Sequence, residues 1–223
     1  MTEGKRLFLG VRVSVATANQ LTACAEQLAR RSKDAGVEIK WVAPANYHVT
    51  LKFLGWTREA TVTPLRDALD AALAGVARVS FRTTRLGAFP SLEKGSVLWA
   101  GIEDGGGLTE VAKRIEAAAV GLGFVSEPRP FHPHVTIGRL RETRAIRDVV
   151  LPLAEQMFGD TRIDGVTMFE SETKASGSVY REVHRIAFKT APIREKSASE
   201  RQTGVVDTGD ETDDGWPRGH GGF

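Results

Sequence analysis

The chain has 223 residues, 41% of them hydrophobic, enough to bury a full core in one domain or in two small lobes that share an interface. The net charge is +2, and a single cysteine, Cys24, excludes an intramolecular disulfide and a multi-cysteine zinc site. No apolar run approaches the roughly 20 residues that a bilayer crossing needs, so a soluble, cytoplasmic, monomeric protein is expected.

The charge is unevenly spread. From Pro192 onward the chain carries four Lys/Arg and seven Asp/Glu, which leaves 26 basic against 21 acidic side chains on residues 1–191. That excess suits a polyanionic partner. The stretch 192–223 is polar, rich in Gly, Ser and Asp, and without apolar periodicity, so it is expected to be a disordered acidic tail behind a folded domain over residues 1–191.

In chain order, KRLFLGVRV reads as a strand, and Thr17 to Lys33 as a helix with Leu21, Cys24, Ala25 and Leu28 on one face. In WVAPANYHVTLKFLG, Pro44 and Asn46 mark a turn and HVTLKF alternates as a half-buried strand. A helix follows from about Arg58 to Ala74. VSFRTTRLGAFP and SVLWAGIE form a strand pair, a helix runs from about Gly107 to Leu122, and EPRPFHPHVTIGRL repeats the loop-into-strand arrangement. Thr143 to Met157 reads as a helix that Pro152 interrupts. IDGVTMFESE and VYREVHRIAFK close the folded part as strands. Antiparallel-looking strand pairs separated from helices predict an α+β fold.

Two phrases stand out: HVTLKFLG from His48 and HVTIGRL from His134. Each heads a strand that follows a strand and a helix, and they lie 86 residues apart, about half the folded length. A duplication into two lobes about a pseudo-twofold axis would turn the two His-Val-Thr strands towards each other. Strict alternation puts His48, Thr50 and Lys52 on one face, with Val49, Leu51 and Phe53 opposite. It likewise groups His134, Thr136 and Gly138 against Val135 and Ile137. The His/Thr faces would line a common groove in which Gly138 leaves room for a ligand.

Such a face suits acid–base chemistry, in which one imidazole takes a proton and the other gives one, and threonine hydroxyls donate where negative charge grows. His132, in H-P-H with His134, lacks a neighbouring acidic residue to complete a metal-ligand set and is read as orienting the loop. Arg139, Lys52 and Arg129 are candidates for phosphate oxygens. Tyr47, Trp56, Phe89 and Phe131 are candidates for stacking on a base.

With RLF near the start, the WV-P-NYHVTLKFLG phrase, LGAFP, RPFHPHVTIGRL and MFES, the chain resembles the two-histidine (2H) phosphoesterases over about residues 5 to 190. The nearest branch is the RNA 2′,3′-cyclic phosphodiesterases, also called 2′-5′ RNA ligases. The resemblance implies a bilobal α+β fold of two antiparallel sheets around a central cleft with helices outside, and neither metal nor cofactor. It implies catalysis by His48, Thr50, His134 and Thr136, and substrate contacts from Arg139, Lys52, Phe131 and Tyr47. It also implies, as partners, RNA ends or nucleotides with a 2′,3′-cyclic phosphate. By the same resemblance His48 is the acid, His134 the base, and the product a 2′-phosphomonoester; the reverse roles would give a 3′-phosphate. Ligation or cleavage of 2′-5′ linkages, opening of a small cyclic nucleotide, and a non-catalytic RNA-binding module remain the alternatives.

Overall fold

The computed structural model describes residues 4–174 and 177–188; the acidic tail expected over 192–223 lies outside them. Nine strands and four α-helices occur among the described residues. The first half of the chain contributes β1 (Gly4–Arg12), α1 (Val15–Asp34), β2 (Ile39–Trp41), β3 (His48–Arg58) and α2 (Glu59–Leu73). Then come β4 (Val79–Phe89), β5 (Gly95–Glu103), α3 (Gly107–Val120), β6 (His134–Arg144), α4 (Arg147–Val150), β7 (Met157–Ile163), β8 (Gly165–Lys174) and β9 (Gly177–Ala187).

The strands lie in the order β7-β4-β5-β6-β3-β1-β8-β9, with β2 beside β6. Every pairing is antiparallel. This path divides into two four-stranded halves, β7-β4-β5-β6 and β3-β1-β8-β9, joined by one residue pair, Val49 opposite Val135. The expected duplication is therefore present: β1-α1-β3 in one half corresponds to β5-α3-β6 in the other. β3 and β6 diverge beyond their single pair, and β2 fills the gap by pairing Ile39 to Trp41 with Leu140 to Gly138.

Each helix buries one face. In α1 the buried residues are Thr17, Leu21, Cys24, Ala25, Leu28 and Ser32, at helical spacing, and the Ser14 side chain caps its start by accepting from the Thr17 N–H. Val62, Leu65, Leu69 and Leu73 do the same for α2, and Leu108, Val111, Ala112, Ile115 and Ala119 for α3. The helices cross between halves. α1 leaves β1 but packs against β7 and α4, where Ser14 N–H donates to Thr161 Oγ1 at 2.9 Å and Arg31 Nε to the Val149 carbonyl at 3.0 Å. α3 leaves β5 and packs against β3 and α2 as well as β4.

The expected helix over 143–157 is corrected. β6 extends to Arg144, α4 is a single turn, a 3₁₀ turn over Leu151–Leu153 holds Pro152, and β7 begins at Met157. Proline lacks the N–H and crowds the preceding turn, which stops the helix there.

Both histidine strands contain the same irregularity. Gly10 pairs with Thr50 and Leu9 with Lys52, so Leu51 is an extra residue. Trp99 pairs with Thr136 and Leu98 with Gly138, so Ile137 is its counterpart. A one-residue bulge reverses the alternation beyond it. Two buried residues therefore follow each other at Leu51-Lys52 and at Ile137-Gly138, and the two strands share one burial pattern over their first seven residues.

Candidate active site

His48 and Thr50 stand on the face of β3 opposite Val49, and His134 and Thr136 on the corresponding face of β6, while Val49 and Val135 are fully buried beneath. Carried one residue either way, the antiparallel register sets His48 across from Thr136 and Thr50 across from His134. Four polar side chains thus share one surface at the junction of the halves.

The two imidazoles are held alike. His48 Nδ1 lies 2.6 Å from the Asn46 carbonyl oxygen and His134 Nδ1 lies 2.8 Å from that of His132. A carbonyl only accepts, so both Nδ1 atoms carry a proton and both Nε2 atoms are left for chemistry. His48 Nε2 lies 3.1 Å from Thr50 Oγ1. The part His132 plays here is that of its backbone carbonyl, which holds the His134 ring.

Aromatic rings wall both sides. Phe8 and Tyr180 lie 5.0 and 5.2 Å from the His48 ring, centroid to centroid, and Phe89 lies 4.9 Å from His134, edge to face. Burial lowers the pKa of both histidines, partly offset by the hydrogen bonds to Asn46 and His132. The positive charge of Arg139 lowers both further, and that of Arg12 lowers His48.

Arg139 pairs with Val97, two residues before the Trp99 that pairs with Thr136, so the bulge returns it to the His/Thr face, where it is exposed. Lys52 is corrected: it pairs with Leu9 on the core side, is only 5% exposed, and its Nζ donates to Glu116 Oε2 at 2.7 Å and to the Val125 carbonyl at 3.0 Å. Tyr47 is also corrected, since at 3% exposure it belongs to the core and has no face for a base. Phe131 is half-buried against the core.

Gly138 lies outside the groove, because a Cβ there would meet Ile39 Cγ2 at 2.7 Å; its small size admits β2. The glycine on the His/Thr face is Gly10, opposite Thr50, where a Cβ would come 2.8 Å from the Val49 carbonyl oxygen and 3.4 Å from the His48 ring. Phe53, expected in the core, is exposed on the groove face.

The sequence reading did not single out Arg12. It pairs with His48 across β1 and β3, donates to the Ala45 carbonyl, lies 3.3 Å from Glu182 Oε1, and its guanidinium sits 5.0 Å from the centre of the Phe169 ring. Alternation in β1 puts Phe8, Gly10 and Arg12 on one face, but it is the pairing of β1 with β3 that sets this face beside His48.

The family model described as "LigT like Phosphoesterase" matches residues 11–99 and 102–180. The chain belongs to the LigT-like phosphoesterase family. Within that family it is 28% identical over 155 residues to a protein named RNA 2′,3′-cyclic phosphodiesterase from Aeropyrum pernix, covering 68% of this chain and 87% of the relative. TT0787 of Thermus thermophilus shares the fold at a TM-score of 0.70 and 22% identity, over 82% of this chain and 98% of that one. E. coli LigT complexed with 3′-AMP does so at 0.63 and 22%, over 83% and 98%. The α+β architecture of a LigT-like phosphoesterase is thereby shown, and among the described residues no helix is long and apolar enough to cross a membrane.

Proposed function

We propose that the protein hydrolyses terminal 2′,3′-cyclic phosphates on RNA to 2′-phosphomonoesters. The observation that carries this reading is the matched pair of imidazoles, each with Nδ1–H fixed on a backbone carbonyl two residues upstream, which leaves Nε2 as the nitrogen on the His/Thr face, that of His48 beside Thr50 Oγ1. Relatives named as RNA 2′,3′-cyclic phosphodiesterases support the choice of substrate, as does a structural neighbour solved with a 3′-nucleotide.

Neutral His134 takes a proton from water at Nε2 as the water oxygen bonds to phosphorus. The bond from phosphorus to the ribose 3′ oxygen breaks, and protonated His48 gives its Nε2 proton to that oxygen. The phosphate stays on the 2′ oxygen. Thr50 and Thr136 donate to the non-bridging oxygens as their charge grows, and Arg139 and Arg12 add positive potential at the same surface. Each imidazole contributes about 10²- to 10⁴-fold by proton transfer. Because the two histidines supply both transfers, the reaction needs no metal ion.

The test is turnover of a short RNA ending in a 2′,3′-cyclic phosphate, in EDTA, with the position of the product phosphate determined. A 2′-phosphate formed by the native protein and lost in both His48→Ala and His134→Ala is expected. A 3′-phosphate would reverse the two roles, and loss of turnover on chelation would refute a metal-independent reaction.

A further inference from the structure

The carbonyl that fixes His48 belongs to Asn46, the last residue of a 3₁₀ turn over Pro44–Asn46. Two links tie that turn to β9, the outermost strand of its half. Asn46 Nδ2 donates to the Ser178 carbonyl at 2.8 Å. The carbonyl of its neighbour Ala45 accepts from Arg12, whose Nε lies 3.3 Å from Glu182 Oε1. Between these links stands Tyr180, its ring edge-on to the His48 ring at 5.2 Å. Ser178, Tyr180 and Glu182 are alternate residues of one strand and so share a face. β1 and β8 separate β9 from β3 in the sheet, yet this one face meets the turn twice and the imidazole in between. The other half differs. There the fixing carbonyl is that of His132 and the outermost strand is β7, but among the described residues no hydrogen bond joins residues 130–133 to β7. The His132 ring lies instead edge-on to Phe89 of β4 and Trp99 of β5, at 5.5 and 5.3 Å.

We propose that this face of β9 positions the general acid: it holds the Asn46 carbonyl in place, and through it the tautomer and the aim of the His48 ring. This rests on the reading of His48 as the acid given above. Asn46 is the positioning residue in which the connections meet, because its backbone oxygen holds the imidazole and its side chain holds the strand. A carbonyl that stays put keeps the Nδ1 proton in place while His48 gives up the other at Nε2. One that drifts lets the ring turn away from the leaving oxygen. The Arg12 and Glu182 side chains are 39% and 57% exposed, and an ion pair so exposed adds little to stability. The links therefore bear on where the turn sits far more than on whether the chain folds.

The experiment measures steady-state kinetics on an RNA dinucleotide ending in a 2′,3′-cyclic phosphate and on its analogue with sulfur as the 3′ leaving atom. Asn46→Ala removes the side chain, and Asn46→Leu keeps its shape without the donor. Displacing a catalytic group by about 1 Å costs on the order of 10²-fold, so both variants should lose about 10- to 100-fold in kcat on the oxygen substrate with KM little changed. On the sulfur substrate, whose leaving group needs no proton, both should match wild type. Glu182→Ala, which cuts one link and leaves the other, should show a smaller loss on the oxygen substrate alone. Tm should move by less than about 4 °C in each variant. Equal losses on both substrates, or no loss on the oxygen substrate, would overturn the positioning role.

Nitrogen NMR of the imidazole rings at alkaline pH reads the same arrangement without turnover. In wild type both neutral rings should carry their proton at Nδ1, and Asn46→Leu should mix the two tautomers at His48 while leaving His134 as it was. That result in a wild type that opens no cyclic phosphate would uphold the hold of β9 on His48 and sink the hydrolytic reading. A His48 ring unchanged in Asn46→Leu would sink the proposal even where hydrolysis proceeds.

Discussion

Val49 and Val135 face each other across β3 and β6, and they form the one backbone register pair between the two halves of the sheet. Both side chains are fully buried. The pair sets the distance between the His48 and His134 strands at the point where both histidines and both threonines stand. Register at this point is thus a property of the site as much as of the fold.

The threonines follow from that placement. Thr50→Val or Thr136→Val keeps the shape and β propensity of the residue while removing its hydroxyl. Removing one donor aimed at developing charge costs about 10²- to 10³-fold in kcat. Either valine variant should lose kcat on that scale with KM changed less than threefold, and serine at either position should recover most of it. A change confined to KM would place the hydroxyls in ground-state binding instead.

The acid and base are separable by the leaving group. A cyclic substrate with sulfur in place of the 3′ oxygen departs as a thiolate and needs no proton from an acid. His48→Ala should hydrolyse this substrate at a rate approaching wild type, while His134→Ala stays impaired by about 10²- to 10⁴-fold. Recovery in His134→Ala alone would exchange the two assignments.

The pH profile has a defined sign. Burial first, and then the charges of Arg12 and Arg139, hold His48 below the ordinary imidazole value of 6.5, and burial does the same to His134. The free protein must have His48 protonated and His134 neutral. The optimum of kcat/KM should therefore lie below pH 6.5, with about a tenfold loss per pH unit on its alkaline side. Arg12→Gln removes a positive charge beside His48, which favours the imidazolium and should move the alkaline limb to higher pH. An unmoved limb would count against the influence of Arg12.

Lys52 belongs to stability. Its ammonium is buried against Glu116, whose carboxyl feels two opposing influences. Burial raises its pKa, but the hydrogen bonds from Lys52 and the Glu127 N–H, with the Lys52 charge, outweigh burial and lower it. Lys52→Met leaves the Glu116 carboxylate without its cation at a cost of about 1–3 kcal/mol. Thermal denaturation should show Tm lower by roughly 2–10 °C, with KM for the cyclic phosphate unchanged. A raised KM with unaltered Tm would return Lys52 to the substrate.

The paired phrases carried most of what was legible. They located the duplication, the two strands at the centre and the four polar side chains, because each phrase repeats residue types and flanking elements together. Lys52, Phe53 and Gly138 were misplaced for one shared reason. A bulge leaves no mark in composition, and a single extra residue exchanges the faces of everything after it. β7 escaped notice because MFGDTRI is short and half polar, and β2 because three residues are too few to show a period. Arg12 is legible only when β1 is laid beside β3, a long-range pairing that local pattern does not contain.

The crossing of α1 and α3 bears on how the chain comes to exist as one body. Neither repeat closes its hydrophobic surface alone: α1 packs on β7 and α4, and α3, besides β4, packs on β3 and α2. A fragment ending between α2 and β4 would present β3 stripped of α3, and α1 without β7 or α4 to lie on. The duplicated parts are thus interdependent lodgers, and the chain should melt in one cooperative transition despite its internal repeat. Coexpressed as two pieces, they should be recovered only together.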